Sequence, residues 1–245
     1  MASSGNDAAP IEVRVLVVGE AGVGKSSLVN RLIYQSAGQP DITIGHTQNV
    51  WRFDVDGEFG RRRKIHMVLT DVGGGPNMRA LQRELFKGAT AVVFVFDLCD
   101  RGSYTRLSSW FREIKETCGR QNASLIQVMV GNKADLANSD SITTQNRQVS
   151  EGEARDGASS NKMKYVETSA QNGQNVEPFF REIGREIMEQ LAAGAINLEA
   201  PDLHGVRLAK IPMSGGAMRP YNQQGTLTCP GFRDLFLRWC HGHPG

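Results

Sequence analysis

The apolar positions of this chain fall into short buried runs separated by stretches of helical period. Val15-Leu16-Val17-Val18 closes a strand that begins at Ile11; the glycine-rich turn Gly19 to Gly24 follows, and a helical stretch covers Ser26 to Ser36. Two more strands, Thr47 to Val55 and Ile65 to Asp71, flank the hairpin signal Asp56-Gly57. Beyond them the pattern predicts a helix near Met78 to Lys87, a strand Ala91 to Asp97, a helix Tyr104 to Thr117 and a strand Leu125 to Val130. A short helix near Glu151, a strand Lys164 to Glu167 and a closing helix Val176 to Leu191 complete the series. Strands alternating with helices in this way predict an α/β fold: a mainly parallel, six-stranded sheet between two helical layers. Such a sheet binds ligands at the carboxyl ends of its strands.

The ends of the chain have a different texture. Residues 1 to 10 are small and polar and are expected to be disordered. After Ala192, glycines and prolines recur often enough to break any long element, so 193–245 reads as a tail following a domain at 11–192. Within the tail, Phe232, Leu235, Phe236 and Trp239 recur at helical spacing and suggest a short amphipathic helix over 231–240. Three readings of it stand open: it lies on a membrane, it folds onto the domain, or it is a chance apolar cluster.

Composition removes several classes of function. A chain of 245 residues that is 40% hydrophobic can bury a full core. Its 28 basic and 26 acidic residues leave a formal charge of +2, which implies neither nucleic acid nor an anionic membrane as a partner. The longest apolar run, Ala89 to Leu98 with Thr90 and Asp97 in it, is too short to span a bilayer. Cys99, Cys118, Cys229 and Cys240 lack metal-ligand or C-x-x-C spacing, and the N-terminus lacks the apolar core of a secretory signal, so a cytoplasmic location is expected.

The chemistry begins at the first turn. Gly19, Gly24, Lys25 and Ser26 fill G-x-x-x-x-G-K-[ST] between a strand and a helix. A loop of this kind turns backbone N–H groups inward at the positive end of a helix dipole, so that Ala21, Gly22, Val23, Gly24 and Ser27 surround a polyphosphate. Lys25 reaches the β and γ phosphates, and the Ser26 hydroxyl supplies a ligand to a bridging magnesium ion. The loop alone does not separate ATP from GTP.

Gly131-Asn132-Lys133-Ala134-Asp135 follows a strand and resembles the N-K-x-D motif of guanine-nucleotide-binding proteins. The Asp135 carboxylate can accept from guanine N1–H and the 2-amino group together, whereas adenine offers neither donor. Asn132 ties the loops together, and the stem of Lys133 lies over the base. Glu167-Thr168-Ser169-Ala170 resembles the last guanine motif, with the Ala170 N–H aimed at the guanine oxygen. Thr43-Ile44-Gly45 and Asp71-Val72-Gly73-Gly74 complete the set.

With these motifs in order, residues 11 to 192 resemble a Ras-like small GTPase. Thr43-Ile44-Gly45, Phe86-Lys87-Gly88-Ala89 and Phe94-Val95-Phe96-Asp97 resemble its Rab branch. The resemblance implies a G domain that binds GTP or GDP with magnesium. It implies metal contacts from Ser26, Thr43 and, through water, Asp71, and catalytic roles for Lys25, Thr43 and the Gly74 N–H. It further implies effector and exchange-factor proteins that read two switch loops, and a peripheral place on endomembranes in vesicle traffic.

The departures point the other way. Gly75 stands where the family carries the glutamine that orients the attacking water, and Pro76 replaces a glutamate. Asn77 and Gln82 are the nearest substitute amides. Thr70 replaces the usual tryptophan, Gln39-Pro40-Asp41-Ile42 lacks an aromatic, and Tyr34 lies too close to Lys25 for the family's base-packing ring. The alternative to a slow GTPase is therefore a GTP-bound scaffold. The chain ends His241-Gly242-His243-Pro244-Gly245 without a prenylation box, so membrane association is expected to be weak, or to need a partner or acylation of Cys229 or Cys240.

Overall fold

The computed structural model describes residues 9–38, 45–56, 62–74, 85–118, 124–137, 147–198 and 204–209. Seven strands form one sheet: β1 (Ile11–Val18), β2 (His46–Asp56), β3 (Arg62–Val72), β4 (Ala91–Asp97), β5 (Ile126–Asn132), β6 (Lys164–Glu167) and β7 (Val206–Leu208). The helices are α1 (Lys25–Tyr34), α2 (Arg101–Thr117), α3 (Ala134–Ala137), α4 (Glu151–Ser160) and α5 (Val176–Ala192). The strand order is β2-β3-β1-β4-β5-β6, parallel except for β2 against β3, and β7 pairs antiparallel with β1.

Periodicity decides which helix covers which face. In α2, Ser103, Leu107, Trp110 and Ile114 form one buried stripe. Leu107, Trp110 and Ile114 join Leu16, Phe94, Phe96 and Met129 of the sheet, and Ala154 and Ala158 of α4, in one core. On the other face Leu28, Val29 and Leu32 of α1 and Phe179, Phe180, Ile183 and Ile187 of α5 pack on Val15, Val17, Leu69 and Val93. Gly184 lets α5 lie close, because a Cβ there would come within 2.6 Å of the Phe53 ring. β4, second-layered by helices on both faces, is buried at every position.

The C-terminal boundary needs correction. The expected tail does not begin at 193: Ile196 and Val206 belong to the core around α1 and α5, and β7 adds a seventh strand to the six expected. β7 pairs Val206, Arg207 and Leu208 with Val13, Glu12 and Ile11, alongside the part of β1 that precedes its pairing with β4 at Val15. Arg207 forms an ion pair with Glu12, and the Ala209 N–H donates to the Pro10 carbonyl at 2.7 Å. Gly205, at φ +63, lies so close to Gly88 that a Cβ would collide with the Gly88 carbonyl. The glycines read as breakers only exclude a long element; a three-residue strand held by non-local pairing leaves no periodic trace in the sequence.

Several expectations fall outside the described residues: the N-terminal residues 1 to 8, Thr43 with its neighbours 39–44, the hairpin turn at Gly57, Gly75 through Gln82 and most of the Met78 to Lys87 helix. The polar stretch beginning at Asn138 and the segment 231–240 fall outside them as well. Among the described residues no helix is long and apolar enough to cross a membrane.

Candidate functional site

The motif residues that are described converge at the carboxyl ends of β1, β3, β5 and β6. The turn after β1 is shaped by glycine conformations, with Gly19, Gly22 and Gly24 at φ +144, +80 and +93. Only glycine visits these values readily, and a Cβ on Gly19 would strike the Val95 carbonyl. The apex, Ala21 and Gly22, is exposed, and nothing lies within 4 Å of where a Gly22 Cβ would stand. Ser26 and Ser27 are half-buried in the first turn of α1.

Lys25 is 5% exposed. Its ammonium donates to the carbonyls of Gly19 at 3.0 Å and Glu20 at 2.8 Å. Burial lowers its pKa, against the pull of Asp71 and Glu20. A buried cation resting on neutral carbonyls is matched by an anion such as phosphate. The Ser26 hydroxyl donates to Asp71 Oδ2 at 2.5 Å, which turns its lone pairs away from the carboxylate. A hydroxyl oxygen backed by a carboxylate is the hard oxygen set that suits magnesium, so these residues fit that ion.

The segment after β3 closes on the same turn. A Cβ on Gly74 would run into the backbone of Glu20 and Ala21, so its own backbone lies against the loop. Gly73 donates to the Gly45 carbonyl at 2.8 Å, joining the ends of the two expected switch segments. Thr70 is fully buried and accepts from Gln48 at 3.4 Å, so a polar pair occupies this place between β2 and β3.

Asn132 is the hub of the opposite half. Its Nδ2 donates to the Val23 carbonyl at 2.9 Å, while Oδ1 accepts from Thr168 Oγ1 at 3.2 Å and Ala170 N at 3.3 Å. One buried amide thus sets the spacing of the glycine turn, the β5 end and the β6 end. The Ala170 N–H, expected to aim at a guanine oxygen, is directed here to Asn132. Asp135 Oδ1 accepts from Ser169 Oγ at 2.5 Å, which fixes the rotation of the carboxylate. Lys133 adopts φ +68, and its ammonium meets Asp97 Oδ2 at 2.6 Å. Tyr34 is 45% exposed at the end of α1.

Sequence reasoning missed four supports. Asp97 holds Lys133, and the two strand ends sit beside each other because Asp97 is in register with Asn132. Arg31 of α1 donates to the carbonyls of Ala170 at 2.7 Å and of Gln171, bracing the loop after β6. Arg147 grips Glu167 at 2.8 and 2.7 Å, and the Tyr165 hydroxyl donates to the same carboxylate at 2.8 Å. Burial pushes the Glu167 carboxyl up, but these bonds outweigh it and hold its pKa below the usual value. Trp110 and Arg106 donate to Glu20 in the glycine turn. The motif signal covers consecutive residues, and these partners lie 20 or more residues away along the chain, except Tyr165, which is two residues from Glu167 on the same strand.

Comparison with known proteins yields a consistent set. The Ras family matches residues 14–189. "Ras-related protein Rab-18-B" of Danio rerio is 29% identical over 212 residues, 85% of this chain and 94% of that protein. "Ras-related protein Rab-4" of Dictyostelium discoideum is 30% identical over 188 residues, covering 76% and 84%. "Ras-related protein Rab-1D" of the same organism is 31% identical over 181 residues, covering 73% and 81%.

Proposed function

Because the chain belongs to the Ras family, in its Rab branch, we propose that it binds GTP and GDP with magnesium and works as a nucleotide-dependent switch with slow hydrolysis. The observation that carries this reading is the Asn132 bridge, which holds the Val23 carbonyl and the Thr168–Ala170 loop in one frame. A phosphate-binding turn and a base-reading loop locked at fixed separation suit one ligand that has both a polyphosphate and a base.

In this reading Gly19 through Ser27 wrap the phosphates, and Lys25 stabilises charge on the β and γ groups. Ser26, Thr43 and, through water, Asp71 would hold magnesium, which supplies charge neutralisation at the phosphates when bound. The Gly74 N–H meets the γ phosphate. Asp135, oriented by Ser169, accepts from both donor groups of the guanine edge, the Lys133 stem covers the base, and the Ala170 N–H turns from Asn132 to the guanine oxygen. The γ-phosphate contacts of Thr43 and Gly74 would be lost on hydrolysis, releasing both segments. Effector and exchange-factor proteins would read that change, in intracellular membrane traffic or signalling.

A second reading, a GTP-bound scaffold, is favoured by Gly75, which has no side chain to position water. One experiment addresses both: identify the nucleotide released from the purified protein on denaturation, then follow GTP loss in a single turnover with magnesium. Released GDP or GTP supports the nucleotide reading, and protein free of guanine nucleotide that also fails to load GDP opposes it. Measurable turnover favours the switch, and persistent GTP favours the scaffold.

A further inference from the structure

Glu20 occupies the first variable position of G-x-x-x-x-G-K, where the motif asks for no particular side chain. Its carboxylate is nevertheless only 17% exposed. Oε1 accepts from the Trp110 indole N–H at 3.2 Å, and Oε2 accepts from the Arg106 Nε–H at 3.0 Å. The two donors are one turn apart on α2. Trp110 is fully buried in the core beneath, and Arg106 also approaches Asp100, the N-cap of α2, at 3.7 Å. The backbone of the same residue does two further things: its carbonyl accepts from Lys25 Nζ at 2.8 Å, and Gly74 packs against it.

From this junction we infer that Glu20 is a positioning residue for the phosphate subsite: Trp110 and Arg106 clamp its carboxylate, and the clamped peptide aims the Lys25 ammonium and backs Gly74. The inference rests on the nucleotide reading given above. Its physical basis is the cost of ordering a loop. With glycine at 19, 22 and 24, the turn has many backbone conformations open to it, and binding a polyphosphate requires one of them. Gly19 is confined by Val95, and the Val23 and Gly24 end by Asn132. The Glu20 clamp fixes the remaining side of the turn, where Lys25 rests. An anchor in a helix core holds that peptide before the ligand arrives, so less affinity is spent in ordering it.

The test uses the full-length protein and measures equilibrium affinities for GDP and GMP, with thermal unfolding as a control. Trp110→Phe keeps the ring and removes the donor; Arg106→Met keeps much of the stem of a half-exposed residue; Glu20→Gln keeps the shape and removes the charge. Each should weaken GDP about tenfold, the scale of a lost charged hydrogen bond, and leave GMP within about twofold, because GMP has no β phosphate for Lys25 to reach. The double variant Glu20→Ala/Trp110→Phe should lose no more than Glu20→Ala alone, since the alanine already removes the acceptor that Trp110 uses. Equal losses of GDP and GMP affinity, or effects that multiply in the double variant, would overturn the clamp. A parent protein that fails to bind GDP would overturn the nucleotide reading itself, and the clamp with it.

Discussion

The two halves of the candidate site are held in opposite ways. The phosphate half is shaped chiefly by backbone, with the Glu20 carboxylate as its side-chain anchor: glycines at positive φ, Lys25 on two loop carbonyls, and Gly74 laid against the turn. The base half is shaped by side chains: Asn132 bridging two loops, Ser169 on Asp135, Asp97 on Lys133, and Arg147 on Glu167. A backbone-built cradle fails when a methyl group is added. A side-chain-built one fails when a polar group is removed. The difference follows from the ligands each suits: phosphate oxygens need many converging N–H groups, whereas a base edge needs a few polar atoms at set angles.

The largest effects should come from striking the backbone half. Lys25→Ala removes the buried ammonium of this half, and a Cβ from Gly24→Ala would collide with Asn132 Nδ2, the atom that joins the halves. We expect each to weaken GDP by at least about a thousandfold in equilibrium titration, the scale of a lost charge-assisted phosphate contact. Asn132→Ala should come next. It strands the Val23 carbonyl, the Thr168 hydroxyl and the Ala170 N–H, at a cost of about 2 kcal/mol or more in denaturant unfolding. GDP affinity should fall about a hundredfold with it, because both halves lose their common reference. If only stability falls and GDP affinity stays, the two halves are not coupled through this amide.

Gly75→Gln sharpens the contrast between binding and turnover. It adds a water-orienting amide next to the backbone half, so single-turnover GTP loss should rise by about tenfold while GDP affinity is unchanged. An ordinary Rab rate in the natural protein that survives Asn77→Ala and Gln82→Ala would show that the missing glutamine is not what limits it. The smallest effect belongs to the base half alone. The folded pKa of Glu167 lies below the ordinary carboxylate value of 4.5, so its bonds to Arg147 and Tyr165 stabilise the fold fully above that pH. That contribution is lost as pH falls through the lower folded value. Denaturant midpoints should therefore decline in this acid range, and Glu167→Gln should flatten the decline. A decline of the same slope in Glu167→Gln would assign it to other carboxylates.

The same contrast explains what could be read from the sequence. The backbone half is legible because its requirements are local: glycines, a lysine and a serine within eight residues, between an apolar run and a helix. Asn132, Asp135 and Ser169 are legible as short motifs at strand ends. Their supports are not. The indole of Trp110 and the carboxylate of Glu20 lie 90 residues apart, and helical periodicity reveals the buried ring without revealing where its N–H points. Asp97 reads as a strand terminus until the β4–β5 register sets it beside Asn132. β7 was hidden for a related reason, since a three-residue strand is held by pairing with Ile11, Glu12 and Val13 and by the Ala209 bond to Pro10, and has no periodicity of its own.

The central claim is that the base half selects guanine and the backbone half binds its phosphates. Competition of GDP and ADP against a fluorescent guanine nucleotide tests it most directly, with the parent protein and Asp135→Asn side by side. In the proposed reading Asp135 would meet two donors on guanine and none on adenine, so GDP should compete at least about a thousandfold better than ADP, and Asp135→Asn should shrink that ratio. Comparable competition by GDP and ADP in the parent protein would contradict the claim.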